Sequence, residues 1–426
     1  MSQSTKPGTR GRRTVARHGA LKSPHPFSQL MKIVGVMLAV VLVSGAGVAA
    51  YAAYDLTASF TDDAVALEGQ SPVPPDIGAI EGGIDVLLTG TDECLPEFAA
   101  YFGDRCTGAD AGGELNDVNL LMHISDNPRR VTVISFPRDL MMPIPACTEE
   151  DGTEHAAMTK QQLNSAYSYG GLSCVAKTIS QLTDINIPFA AKVNFGGVIN
   201  ITDAIGGVSV CIGNGGIRDS YTGIDWPAGE RTVQGLEALQ FLRTRHGLEN
   251  GSDLARISNQ QQYMSQLAHK LVSDEVLSNP ATLYKLATTA VDNITPSKSL
   301  TNPLTLVQIA LAVKSVPFED IVFVQYPVQT DPYDANRVVP NYDSAQVLLD
   351  ALAANQPLQL TSDVDAGGGS IVVSPEPTTE PVTPDPAATT DPGATPAPTE
   401  TAAVLPSDVP GQNAATQTCS AGNLRE

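Results

Sequence analysis

Residues 116–140 read NDVNLLMHISDNPRRVTVISFPRDL, and two runs within them, VNLLMHI (118–124) and VTVISF (131–136), decide the fold. Both are nearly continuous in Val, Ile, Leu, Met and Phe, too short for a typical helix and of strand length. Strands without polar alternation are expected to be covered on both faces. Four further runs have the same character: IDVLLTG (84–90), AAKVNF (190–195), VSVCI (208–212) and IVFVQY (321–326). Among them lie stretches with helical patterns: 171–183, 196–205, 235–242, 252–273, 280–291, 304–316 and 342–354. Strands alternating with helices predict a layered α/β/α domain, expected over 81–358.

The flanks differ in composition. Residues 1–32 carry seven basic residues (Lys6, Arg10, Arg12, Arg13, Arg17, Lys22, Lys32) and no acidic one, so the rest of the chain is more acidic than its net −21. That balance excludes nucleic acid as a general partner. Ile33–Tyr54, IVGVMLAVVLVSGAGVAAYAAY, has no charge. At about 1.5 Å per residue it reaches roughly 33 Å, enough to cross a bilayer core. The basic flank predicts a cytoplasmic N-terminus and an extracellular, wall-side domain at the cell membrane. Small residues near Ala49–Ala53 would also suit a cleaved signal peptide; the length of the run favours a transmembrane helix. Residues 55–80 read as a stalk. Residues 359–426 turn to Pro, Thr, Ala and Asp, a composition expected to stay disordered, as a spacer or a plain end.

Six cysteines behind a membrane segment suggest disulfides, with fifteen possible pairings. Cys94–Cys106 and Cys147–Cys174 are the pairs expected; Cys211, in the apolar run GGVSVCIG, reads as a free buried thiol.

The chemistry concentrates in FLRTRHGLENGSDLARISNQQQ (241–262). Ser252 is placed to cap a helix on which Asp253, Arg256 and Gln260 share a face. Arg243 and Arg245, if extended, point the same way. Three guanidiniums could then converge, and their forked donors match phosphate oxygens; ordinary surface ion pairs are the competing reading. Asp92 follows the first strand, Asp117 precedes the second, and Arg138 and Asp139 follow the third. Two such carboxylates could hold a Mg²⁺ that takes further ligands from substrate phosphates. Together these are the parts of phosphoryl transfer.

The ordered set LLTGTD, ELNDVNLLMHIS, VISFPRDL, LNSAYSYGG, DAIGGVSV, FLRTRHG and DLARISNQQQ resembles the LytR–CpsA–Psr family, over about 84–356. The resemblance implies an α/β/α sandwich around a mixed central sheet, with an apolar pocket for a lipid tail. It implies a transferase moving a glycopolymer from a polyprenyl-pyrophosphate carrier to peptidoglycan, as a phosphodiester on the muramic acid 6-hydroxyl. Carried over by position, Asp92 and Asp117 would hold Mg²⁺ (or Mn²⁺), and Arg138, Arg243, Arg245, Arg256 and Gln260 would bind the pyrophosphate. Asp253, Lys160 and Asn164 form a second tier. Three positions depart from the family pattern: Leu115 and Asn259 stand where arginine is usual, and Gln162 where lysine is. A polyprenyl-pyrophosphate phosphatase and a non-catalytic lipid- or glycan-binding protein are the alternatives.

Overall fold

Five of the six short apolar runs become strands of one sheet, buried on two sides. A computed structural model describes residues 58, 60–61, 64–71, 83–94, 96, 98–99, 104–108, 114–362, 367–373 and 401–424. In chain order the strands of the two larger sheets are β1 (Ile84–Thr91), β2 (Asn116–Ile124), β3 (Val131–Phe136) and β4 (Phe189–Asn194). Next come β5 (Val208–Asp219), β6 (Ile224–Val233), β7 (Ile294–Pro296) and β8 (Ile321–Gln325). The last three are β9 (Ser370–Val372), β10 (Gly411–Asn413) and β11 (Thr418–Ser420). The central sheet has the order β7-β4-β1-β2-β3-β8-β10. It is mixed: β1 runs parallel to β4 and β3 parallel to β8, while the other neighbours are antiparallel.

The longer helices are α1 (Gly171–Thr183), α2 (Phe195–Ala204), α3 (Gly235–Arg243), α4 (Asp253–Val272), α5 (Pro280–Asn293), α6 (Pro303–Lys314) and α7 (Tyr342–Ala353). Strand periodicity sorts the core. Leu87, Leu121 and Ile134 face α1 and α7, packing with Val175, Ile179 and Leu348. Val86, Leu120 and Val133 face the other way, toward Met264 of α4 and Ile309 and Val313 of α6. Full burial of each such side chain contributes about 1.5–3 kcal/mol. Gly170 ends one turn of 3₁₀ helix and Gly171, at φ 59°, starts α1.

The run VSVCI lies outside the central sheet. As part of β5 it belongs to a second sheet, β6-β5-β11-β9. Helix α4 runs between this sheet and the first, and from Ala255 to Tyr263 every residue is buried, polar ones included. The predicted cap is present: Ser252 Oγ accepts from the Ala255 amide at 3.0 Å.

Two expectations about the C-terminal region and its cysteines are corrected. Residues 374–400 and the membrane run 33–54 lie outside the described residues, but 401–424 is folded onto the domain, not disordered. β10 adds an edge to the central sheet on β8, and β11 pairs with β9 and touches β5 at Ser420–Ile212. Polar side chains of α4 supply the glue: Gln262 Nε2 donates to the carbonyls of Cys211 and Thr418 (2.8 and 2.6 Å), and Ser265 Oγ to that of Ala414 (3.1 Å). Gly369 crosses α4 so closely that a Cβ would overlap the Ala255 carbonyl. Cys211 is not a free thiol. It is bonded to Cys419 across 208 residues, while Cys94–Cys106 and Cys147–Cys174 pair as expected. Among the described residues no helix is long and apolar enough to cross a membrane.

A bridge across so long a loop removes unfolded-chain entropy equivalent to roughly 5 kcal/mol at most. Cys419→Ser is therefore expected to lower the melting temperature by about 5–10 °C, read by calorimetry under non-reducing conditions. An unchanged melting curve would mean that strand pairing alone holds the C-terminal strap.

Candidate functional site

The site forms where β1, β2 and β3 meet the start of α4. Asp92, just past β1, is buried, and its backbone and side chain are both fixed by Leu115: the Asp92 amide donates to the Leu115 carbonyl (3.2 Å), and the Leu115 amide to Asp92 Oδ1 (2.8 Å). Leu115, where the family pattern has arginine, thus contributes its backbone to the site. Asp117 on β2 accepts from Arg138 Nη1 at 3.1 Å. Arg138 Nε also lies 3.4 Å from Asp253 Oδ1 and 3.8 Å from Asp139 Oδ2. Asp253 in turn pairs with Arg256 at 2.5 Å, one helical turn along α4. These are pairings of charge more than of aligned hydrogen bonds. Among the described residues neither oxygen of Asp253 nor the Nε of Arg138 or Arg256 has a hydrogen-bond partner.

Burial and mutual repulsion leave this cluster electrostatically unbalanced. Burial lowers the pKa of Arg256, with Arg138 adding to the effect against the help of Asp253. Arg243 is lowered likewise, first by burial and then by Arg256 and Arg138, against Asp117 and Asp92. Burial also raises Asp253 despite its two arginine neighbours. For Arg138 burial works against the charge, but Asp117, Asp253 and Asp139 outweigh it and raise its pKa. An additional anion among these arginines would relieve their repulsion and accept from the unused donors.

Beside the cluster opens a cavity of about 580 Å³. Asp117, Arg138, Arg243, Arg245, Arg256 and Gln260 line it together with a far larger apolar wall that includes Leu88, Leu120, Val198, Ile201, Leu239, Leu267, Leu271 and Ile294. The predicted face of α4 is therefore real, but the extended geometry predicted for Arg243 is not. Arg243 is the last residue of α3, its guanidinium 5.0 Å from the Phe195 ring centre. Arg245 reaches the cavity after the turn at Thr244, and its Nη2 donates to His246 Nε2 at 3.1 Å.

The second tier divides. Asn164 supports the site through its backbone, its amide donating to the Arg138 carbonyl at 3.1 Å. Lys160 turns elsewhere, to Asp331 (2.6 Å) and the Tyr333 ring. Gln162 donates to Asp139 at 3.0 Å. Asn259 is fully buried, donates to the Phe241 carbonyl (3.0 Å) and accepts from Ser420 Oγ (2.6 Å), so it holds the C-terminal strap.

Two contributors escaped the sequence reading. Asp219, at the end of β5, accepts from Thr244 Oγ1 (2.8 Å) and from the amides of Arg245 (3.1 Å), Tyr221 (3.0 Å) and Gly247 (3.3 Å), fixing the turn that presents Arg245. Burial pushes its pKa up, but those donors outweigh it and hold the carboxyl below its ordinary 3.8. Lys192, on the cavity wall, pairs with Glu93 (3.0 Å) and Glu114 (3.2 Å) over the Tyr167 ring. Only a lysine inside an otherwise apolar strand hinted at it.

The fold and site thus define an α/β domain whose largely apolar cavity carries cations and a carboxylate on its wall. The LytR_cpsA_psr family model matches residues 50–357, and the chain belongs to that family. It is 28% identical over 334 residues to the cell wall biosynthesis protein LcpA of Corynebacterium glutamicum, covering 74% of this chain and 62% of that one. It is 23% identical to the polyisoprenyl-teichoic acid–peptidoglycan teichoic acid transferase TagT of Bacillus subtilis, covering 69% of this chain and 86% of that one. A solved structure from Streptococcus agalactiae shares the fold, with a TM-score of 0.50 at 18% identity, covering 64% of this chain and 86% of that one.

Replacing Asn259 with the family's usual arginine should not restore a ligand. Asn259→Arg would bury an unpaired charge and break the contact with Ser420, costing about 3 kcal/mol or more; chemical denaturation would read the loss. Asp219→Asn should cost about 1.5–3 kcal/mol at neutral pH by weakening charge-assisted bonds. Because the folded pKa of Asp219 lies below its unfolded value, this contribution is present above that value and lost as pH falls through the folded one. The variant's stability should therefore fall less steeply on acidification, as followed by unfolding curves across the acid range.

Proposed function

We propose that this chain is a phosphotransferase that moves a glycopolymer from a polyprenyl-pyrophosphate carrier onto peptidoglycan, anchored in the cell membrane by Ile33–Tyr54 with its domain on the wall side. The observation that carries the reading is the cavity, whose apolar wall suits a polyprenyl chain and whose arginines suit the pyrophosphate at its head. The names of its relatives LcpA and TagT, which concern cell wall biosynthesis and teichoic acid transfer to peptidoglycan, support the same reading.

In this mechanism Arg138, Arg243 and Arg256 bind the pyrophosphate oxygens, and Arg245 meets them from the turn held by Asp219. Gln260 is oriented by its bond to the Leu242 carbonyl at 2.9 Å. The 6-hydroxyl oxygen of a muramic acid residue attacks the phosphorus that bears the glycan. The bond to the bridging oxygen breaks, polyprenyl phosphate leaves with that electron pair, and the hydroxyl proton passes to a carboxylate, Asp92 or Asp117. Such transfer depends on positioning and charge neutralisation more than on covalent help. Asp92 and Asp117 both favour the charged form of Arg243. Two carboxylates suit a Mg²⁺ that completes its shell from water and substrate phosphates. They are the residues that would hold it, and when bound it supplies further charge neutralisation to the phosphate oxygens.

The test uses the full chain in detergent with a short polyprenyl-pyrophosphate glycan, peptidoglycan oligomers and Mg²⁺, with products followed by mass spectrometry. A phosphodiester adduct is expected, abolished by chelation and reduced at least about 100-fold in Arg243→Ala. Polyprenyl phosphate release without an adduct would make the protein a phosphatase. Donor bound but unchanged would make it a carrier-binding protein, in keeping with the engagement of Lys160 by Asp331.

A further inference from the structure

Helix α6 is amphipathic in neither direction. Its inner residues Ile309 and Val313 pack on the central sheet, yet its outer face carries Leu304 (70% exposed), Val307 (54%) and Leu311 (60%). These stand at i, i+3 and i+7, one stripe of a helix. A stripe of large apolar side chains facing water marks an interaction surface.

Three observations identify the partner. Lys298 and Lys314 bracket the stripe with no Asp or Glu between them, while Asp292, Glu319 and Asp320 lie just outside, in a chain of net −21. Next, the entering chain is pinned beside α6: the Val65 amide donates to the Pro296 carbonyl (2.9 Å) and the Lys298 amide to the Val65 carbonyl (2.7 Å). Ten residues separate Val65 from the apolar run ending at Tyr54, a reach of at most about 36 Å. Finally, Met264 and Ile294, which line the cavity, pack in the same apolar cluster as Ile309. The helix therefore covers the same side of the sheet as the apolar wall of the cavity.

We infer that the outer face of α6 is a membrane-docking surface, with Leu304, Val307 and Leu311 seated among the acyl chains of an anionic bilayer and Lys298 and Lys314 at its headgroups. Apolar burial and attraction of basic side chains to anionic lipid act together in such interfacial helices. The inference deepens the proposed function, on which its orientation rests, since docking there would set the lipid-binding cavity against the membrane that carries the donor.

The described cysteines are all in disulfides, so a single added thiol is selectively labelled. Val307→Cys in the full chain would carry an environment-sensitive fluorophore. Tyr333→Cys, at a 91% exposed position on the hairpin that packs its Val328 and Val338 against the opposite core, is the control. In bilayers of phosphatidylglycerol and phosphatidylcholine, spin-labelled lipid should quench the 307 label at least about threefold more than the 333 label. The excess should shrink in pure phosphatidylcholine and in Leu304→Ser/Leu311→Ser. Equal quenching at the two positions would overturn the inference. So would a 307 label shielded only by concentration-dependent self-association, which would assign the stripe to a second copy of the chain. Alkaline carbonate extraction separately reports whether the chain is anchored. A chain released by carbonate whose serine double variant alone fails to float with anionic vesicles would defeat the anchor and leave the docking face standing.

Discussion

Burying a helix costs free energy for every polar side chain left without a partner, and that constraint at α4 organises the molecule. Over Ala255–Tyr263 it places Arg256, Ser258, Asn259, Gln260, Gln261 and Gln262 out of water. An unsatisfied polar group there costs about 1–3 kcal/mol. One side of the helix meets the need with the C-terminal strap, through Ser258 to Ser370, Asn259 to Ser420 and Gln262 to Thr418. The other side leaves Arg256 and Gln260 on the cavity wall. The strap and the site are thus two answers to one burial problem, on opposite faces of the same helix.

Charge explains why the second answer is incomplete within the chain. Arg138 is shared among Asp117, Asp139 and Asp253, while Arg243 loses proton affinity to burial, Arg256 and Arg138, and Arg256 loses it to burial and Arg138. Asp139 is itself shared, with Arg337 at 2.6 Å and with Gln162. The carboxylates hold the guanidiniums in position without saturating their donors. Such an arrangement favours a polyanion with several oxygens over a lone carboxylate.

Five strands of the central sheet were legible because their runs are largely apolar, and the α4 face because helical periodicity is regular. The cap at Ser252 and the gathering of Asp117, Arg138, Arg243 and Arg256 followed from the same signals. Arg243 was misplaced by one assumption, that the chain leaves α3 before reaching it. Asp219 gave no signal, since an aspartate ahead of a turn is usually a turn former. Cys211 looked like a core thiol because its surroundings are apolar and its partner lies 208 residues away. The strap was hidden for a different reason. GQN and TCS are too short and too polar to show strand periodicity, and the Pro/Thr-rich stretch before them dominated the composition.

The strap changes what the Pro/Thr-rich stretch 374–400 is topologically. The Val373 amide is bonded to Gln417 and the Ala403 amide to Pro357, so the chain is moored on both sides of that stretch. The stretch is thus joined to the domain at both ends, by described residues on either side. A protease cutting within it would open the loop without shedding a fragment. The Cys211–Cys419 bond would keep the distal piece, together with its strand in the central sheet, attached to the body of the protein.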